Sequence, residues 1–191
     1  MKELVDVIKR DAQYLGNGIV KMDSFLNHQV DVGLCEQMGK HFHEAFNDVD
    51  MSGITKVITA ETSGIPAALF TAREYGVPML FARKHVSAVM NEVYYFAKTI
   101  SRTKGNETNL FISKRFIDET DKVLIIDDFL ATGNTLHALS NIISESGAQL
   151  LGLGAIIEKP QEAGREKLGH LTAPIVSLAK VTWLGEVMSV E

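Results

Sequence analysis

The sequence predicts an α/β protein: a parallel sheet flanked by helices on both faces. Two observations carry that expectation. A strand–helix–strand pattern occurs twice along the chain, the unit from which parallel sheets are assembled. The segments richest in polar chemistry also follow directly on apolar runs, and open α/β sheets bind ligands beyond the carboxyl ends of their strands.

Taken in order, Leu4, Ile8, Ala12 and Leu15 recur at helical spacing and predict a first helix, stopped by Gly16-Asn17-Gly18. A second helix is expected over 32–46, with Asp31 as N-cap and Leu34, Met38, Phe42 and Phe46 along one stripe. ITKVITA (54–60) is rich in β-branched residues and reads as a buried strand. Residues 65–75 follow as a helix, with Pro66 in its first turn and Gly76 as its stop. VPMLFA (77–82) is the next strand. The unit recurs as VLIID (123–127), TLHALSNIISESGA (135–148) and LLGLGAIIE (150–158). Between the two units lies a long insertion, 86–118, in which NEVYYFAKTI and LFISKRFI read as a hairpin with SRTKGNETN at its tip. An insertion of this length beside a ligand rim is expected to act as a mobile lid.

The 191 residues suit one domain, and 46% hydrophobic with 23% charged residues is ordinary for a globular protein. A net charge of −5 argues against a general nucleic-acid binder and leaves room for a local basic pocket. The single Cys35 has no partner for a disulfide or a thiolate metal site, which fits a reducing compartment. The start MKELVDVIKRD is too charged for a signal peptide. LLGLGAII (150–157) is far shorter than the roughly 18 residues of a membrane helix. The expectation is a cytoplasmic single domain with neither nucleic acid nor membrane as partner.

Four polar segments should share one rim: ETSG (61–64), RKH (83–85), DDFLATGNT (127–135) and EKP (158–160). Side chains alternate along a strand, so Asp127 and Asp128 are expected to point in different directions rather than into one pocket. Carboxylates there suit either sugar hydroxyls or a hard cation such as Mg²⁺. In the following loop, backbone amides with the hydroxyls of Thr132 and Thr135 can ring a phosphate at a helix N-terminus, and Gly133 permits a conformation that a Cβ would block. Acid pair and cradle together match a ribose 5-phosphate. The plainer readings are structural. They are an N-capped turn with solvated aspartates, a cap by Thr62 or Ser63, a solvated charge cluster at ARKH, and a loop at 20–31 packing Phe25 and Leu26 on the core. His41 and His43, two apart on a helix, point apart and do not share a metal. Gly152-x-Gly154 lies within a strand and is a weak dinucleotide signal.

VLIIDDFLATGNT resembles the signature of type I phosphoribosyltransferases. The resemblance implies the type I phosphoribosyltransferase fold. It puts Asp127 and Asp128 on the ribose hydroxyls of 5-phosphoribosyl 1-pyrophosphate (PRPP). Its 5-phosphate would be bound by Ala131, Thr132, Gly133, Asn134 and Thr135. ETSGIP is similar to the family's pyrophosphate loop, implicating Thr62, Ser63 and Gly64. ARKH is similar to its basic tetrad, implicating Arg83 and Lys84, often across a dimer interface. VKMDSFLNHQVD (20–31), FARKH and IIEKP resemble the xanthine branch, in which positions matching Val20, Asn27 and Lys159 meet the base.

By the same likeness, 1–35 and 159–191 form a base-binding hood, 86–118 is the flexible loop, and the protein is a homodimer. Mg²⁺ arrives with PRPP rather than in a protein cage. The expected reaction gives xanthosine 5-monophosphate and pyrophosphate for purine salvage. Lys159, a donor only, suits a 6-oxopurine; Asn27 can donate to the 2-oxo of xanthine or accept from the 2-amino of guanine. Guanine and hypoxanthine are therefore the alternative substrates. A PRPP-sensing regulator on nucleic acid would need an added module or a basic face. Ala131 stands where hypoxanthine-guanine enzymes carry an aspartate, which removes the expected proton handler. Catalysis is then expected to rest on electrostatics, with the acids facing a cationic ribose and amides, Arg83, Lys84 and Mg²⁺ stabilising the departing pyrophosphate.

Overall fold

A computed structural model describes residues 1–86, 93–100 and 107–191. Stretches 87–92 and 101–106 of the expected lid, including most of its tip, lie outside the described residues. The elements are α1 (Lys2–Asp11), β1 (Gln13–Tyr14), β2 (Val20–Lys21), a single π-turn (Asp23–Asn27), α2 (Val32–Ala45), β3 (Lys56–Ala60), α3 (Ile65–Tyr75), β4 (Met79–Ala82), β5 (Tyr94–Ile100), β6 (Glu107–Ser113), β7 (Lys122–Leu130), α4 (Asn134–Ser146), β8 (Gln149–Glu158), a short α5 (Gly164–Lys167), β9 (Ile175–Leu184) and β10 (Val187–Val190).

Among the described residues the main sheet has the order β10-β9-β8-β7-β3-β4. Its pairings are parallel except β9–β10, where an antiparallel edge strand closes the C-terminus. The expected parallel sheet with helices on both faces is therefore what the chain forms. One face carries α1, α2 and α3 over Leu4, Ile8, Met38, Phe42, Phe46 and Leu124. The other carries α4 and the β5–β6 hairpin over Leu110, Ile112, Leu136, Leu139 and Ile142.

Local chemistry accounts for the elements. Asp31 caps α2 by accepting from the Leu34 amide at 3.0 Å, and Leu34, Met38, Phe42 and Phe46 are all buried. Gly76 ends α3 at φ 68°, a left-handed stop. In β8, Gly152 and Gly154 let the rings of Phe46 and Phe42 lie against the sheet. A methyl group at Gly154 would come within 2.8 Å of the Phe42 ring. These glycines belong to packing, which disposes of the dinucleotide signal.

Three expectations need correction. The first helix ends at Asp11 rather than near Leu15, because Ala12 is extended and a tight turn at 16–18 returns the chain to pair β1 with β2, leaving Leu15 60% exposed. The strand expected over 123–127 continues to Leu130, since Asp127, Phe129 and Leu130 all pair with β8. The strands β9 and β10 were not anticipated. Their crossover from β8 runs through a four-residue helix, without the long helical pattern that marks such a unit.

Candidate active site

The ends of β3, β7 and β8 open into a cavity of about 330 Å³. From β7 come Asp127 and Asp128, and from the following loop Ala131, Thr132, Gly133, Asn134 and Thr135. The β3 end supplies Thr62 and Ser63, the segment after β4 supplies Lys84, and the far wall holds Val20, Asn27 and Lys159. The structure thus gathers thirteen of the fifteen anticipated residues on one cavity. Gly64 and Arg83 stand off it. Gly64 sits behind the acid pair, where a Cβ would lie 2.7 Å from Asp127 Oδ1 and 2.3 Å from Thr59 Oγ1. The side chain of Arg83 is exposed, and its backbone exchanges hydrogen bonds with Phe111, tying β6 to the edge of the sheet.

The acid pair does not divide between pockets as strand alternation predicts. Asp127 and Asp128 both line the cavity, because it wraps around the end of β7 and receives side chains from either face. Asp127 is 3% exposed, with its Oδ1 3.5 Å from the Thr59 hydroxyl, while Asp128 accepts from the Phe129 amide at 2.8 Å. Burial, and then the carboxylate of Asp128, pushes the Asp127 pKa well above the ordinary aspartate value. Burial likewise raises Asp128, and the charges of Lys84 and Lys159 do not offset it. The pair is costly to ionise in isolation, which marks it as a candidate functional site.

Both helices that begin at this rim start without a side-chain cap. The N-caps of α3 and α4 are Gly64 and Gly133, and neither Thr62 nor Ser63 caps α3. Gly133 adopts φ 75°, the left-handed conformation that turns the loop into α4. The amides of the first turn of α4 are thus not satisfied by a capping side chain, a geometry suited to an anion.

At the base end Lys159 is 5% exposed; its Nζ donates to the Gly18 carbonyl at 2.8 Å and lies 4.2 Å above the Phe129 ring. Val20 is buried, whereas Asn27 ends the π-turn at the cavity mouth. Cys35 is buried in the core, its thiol pushed up to about 11 mainly by burial, so it packs rather than reacts.

Sequence reasoning missed several cavity residues. Phe129 lies between two motifs and carried no signal of its own. Glu61 lines the cavity and accepts from the Lys84 amide at 2.7 Å. Thr99 and Thr108 face each other across the hairpin and also line the cavity, and the buried Thr99 hydroxyl has no hydrogen-bond partner among the described residues. Hairpin register was not legible from the sequence, so neither threonine could be placed. Among the described residues no group of three or more His, Cys, Asp or Glu is arranged to hold a metal ion. The paired hard oxygens of Asp127 and Asp128 nevertheless suit a hydrated Mg²⁺.

An uncapped glycine loop, adjacent acids at a strand end and a facing lysine share one cavity, the arrangement expected from the resemblance to type I phosphoribosyltransferases. The fold agrees. An adenine phosphoribosyltransferase from Giardia lamblia, solved with 9-deazaadenine, superposes with a TM-score of 0.75 at 20% identity, covering 92% of this chain and 97% of that one. One from Thermoanaerobacter pseudethanolicus gives 0.73 at 20% identity, covering 92% and 99%. The family model for the phosphoribosyl transferase domain matches residues 35–172. The xanthine phosphoribosyltransferase of Deinococcus deserti is 44% identical, over 97% of this chain and 95% of the relative. That of Oenococcus oeni is 45% identical, over 95% and 86%. The chain belongs to the phosphoribosyltransferase family.

Proposed function

We propose that the protein transfers the phosphoribosyl group of PRPP to xanthine, giving xanthosine 5-monophosphate and pyrophosphate in purine salvage. The observation that carries this reading is the distribution of charge around one cavity. Two hard-to-ionise acids stand between an uncapped phosphate loop and a buried lysine on the base side. A purine ring nitrogen forms the bond to C1′ of the ribose, the C1′–oxygen bond to pyrophosphate breaks with its electron pair leaving on the pyrophosphate, and the base gives up its N–H proton to solvent. Asp127 and Asp128 hold the ribose hydroxyls and face the oxocarbenium-like centre. The amides of 131–135, with the hydroxyls of Thr132 and Thr135, hold the 5-phosphate. Thr62, Ser63 and Lys84 receive the pyrophosphate, with Gly64 allowing Asp127 to sit close behind them.

Val20 and Phe129 flank the base, Lys159 donates to its 6-oxo group, and Asn27 donates to the 2-oxo. Mg²⁺ bound with PRPP would neutralise charge on the leaving pyrophosphate, and Asp127 and Asp128 are the residues that would hold its water shell. The segment 18–27 and Lys159 cover the base in this reading, while β9 and β10 of the expected C-terminal hood belong to the main sheet. Arg83 lies off this chain's cavity, so its pyrophosphate role belongs to a neighbouring copy in a homodimer. A single cysteine, with no partner for a disulfide, accords with a cytoplasmic setting. The test is turnover with Mg²⁺, PRPP and each of xanthine, guanine, hypoxanthine and adenine. Xanthine should give the highest kcat/KM. Preference for guanine or hypoxanthine would overturn the choice of base, and no nucleotide from any base would overturn the reaction.

A further inference from the structure

The phosphate loop can present its amides only if its backbone is held from behind, and the structure shows what holds it. Gly164, at the start of α5, lies flat against the loop: a Cβ there would meet the Ala131 carbonyl at 2.1 Å and the Gly133 amide at 2.7 Å. The approach is mutual, since a Cβ on Gly133 would come within 2.9 Å of the Gly164 carbonyl. Lys167, at the far end of α5, hydrogen-bonds the Asn134 side chain in the same loop.

Helix α5 has four residues, too few to stand by itself. It is fastened to the sheet through Arg165. Arg165 Nε and Nη2 donate to the two carboxylate oxygens of Glu158 at 2.8 and 2.6 Å, Nη1 donates to the Ile175 carbonyl at 2.9 Å, and Nη2 to Ser177 Oγ at 3.0 Å. Ser177 Oγ in turn donates to Glu158. The Glu158 side chain is 4% exposed at the end of β8. Burial works to raise its pKa, but the hydrogen bonds from Arg165 and Ser177 outweigh that and leave it below the ordinary value. A two-pronged guanidinium–carboxylate pair of this kind fixes direction as well as distance.

We infer that the Glu158–Arg165–Ser177 cluster is a positioning device for the 5-phosphate of PRPP, setting the loop 131–135 through the Gly164–Gly133 backbone contact. This rests on the function proposed above. Arg165 touches no substrate in this scheme; it acts through the loop. Its influence should fall more on PRPP than on the base, because the Lys159 side chain is anchored on the Gly18 carbonyl, away from α5. The backbone of Lys159 is shared with the loop and the approach to α5, its amide donating to the Leu130 carbonyl at 2.8 Å and its carbonyl accepting from Glu162 at 3.0 Å, so the side-chain bond to Gly18 is what separates the two ends.

The test is steady-state kinetics of the full chain with Mg²⁺, PRPP and xanthine. Arg165→Met should raise the KM for PRPP by about tenfold or more, since a displacement near 1 Å costs up to about a hundredfold, while the KM for xanthine stays within about twofold. Arg165→Lys, one prong instead of two, should fall between. Unchanged KM for PRPP, or an equal rise in both constants, overturns the inference. Should Arg165→Met fail to fold, Ser177→Ala, which removes a single arm, reads the same ratio with the same two outcomes. If the unsubstituted chain shows neither turnover nor PRPP-dependent thermal stabilisation, the proposed function itself fails. If that chain works and the variants match it, only the positioning role does.

Discussion

Asp127 and Asp128 carry opposite consequences for folding and for function. Burial raises both pKa values, so the folded chain holds these protons more tightly than the unfolded chain. Where the native state binds more protons, stability falls as pH rises, here from about pH 4 upward. Replacing Asp127 and Asp128 by Asn should therefore raise the melting temperature of the ligand-free protein relative to the parent, by a margin that widens between about pH 4 and 7, while turnover collapses. A variant that melts lower across this range, or that keeps full turnover, contradicts the ligand-facing role. Lys159 is the counterpart at the base. On the proposed role, Lys159→Met leaves the 6-oxo group facing no donor, a loss of roughly 1–3 kcal/mol, so the KM for xanthine should rise about fivefold to a hundredfold or more with little change for PRPP.

Among the elements, β8 shows how packing and site are joined. Its glycines accept the α2 phenylalanines on one side, its last residue Glu158 holds Arg165, and Lys159, the residue after it, lines the cavity. Gly154→Ala forces a methyl to within 2.8 Å of the Phe42 ring and 2.5 Å of Ile126. Overpacking of this kind should lower unfolding free energy by about 1–3 kcal/mol in urea titration. A neutral result would mean that α2 is not seated on the sheet as described. The uncapped starts of α3 and α4 follow the opposite logic. Asp31 shows that this chain caps a helix where capping serves stability, and at the rim it places Gly64 and Gly133 instead.

For the whole molecule, ligand binding should be visible as stability. PRPP with Mg²⁺ at about a hundred times its Kd would add roughly 2.7 kcal/mol, a thermal shift that the Asp127→Asn, Asp128→Asn variant should lose. Arg83 is exposed and off its own cavity, so the pyrophosphate role proposed for it requires a second copy. Mixing inactive Arg83→Ala chains with inactive Asp127→Asn, Asp128→Asn chains should recover about a quarter of the activity, since half the dimers are mixed and one of their two sites is intact. No recovery in a verified mixed dimer would confine Arg83 to its own subunit, away from the pyrophosphate.

Much of this was legible in one dimension. The strand–helix–strand units, the α2 stripe with its Asp31 cap, and the phosphate loop after an acid pair are local patterns, set by side-chain period and turn chemistry. Likeness to a family added the roles of Val20, Asn27 and Lys159, which no local pattern carries. What only the tertiary structure decided depends on contacts distant in sequence. Whether Asp127 and Asp128 share a cavity turns on where that cavity wraps the end of β7, and Phe129 and Thr99 join it through packing and hairpin register. The strands β9 and β10 pair with a sheet begun more than a hundred residues earlier. Glu158 was legible only as part of a polar strand end and Arg165 not at all; they become a clamp only when the strand end and the short helix meet.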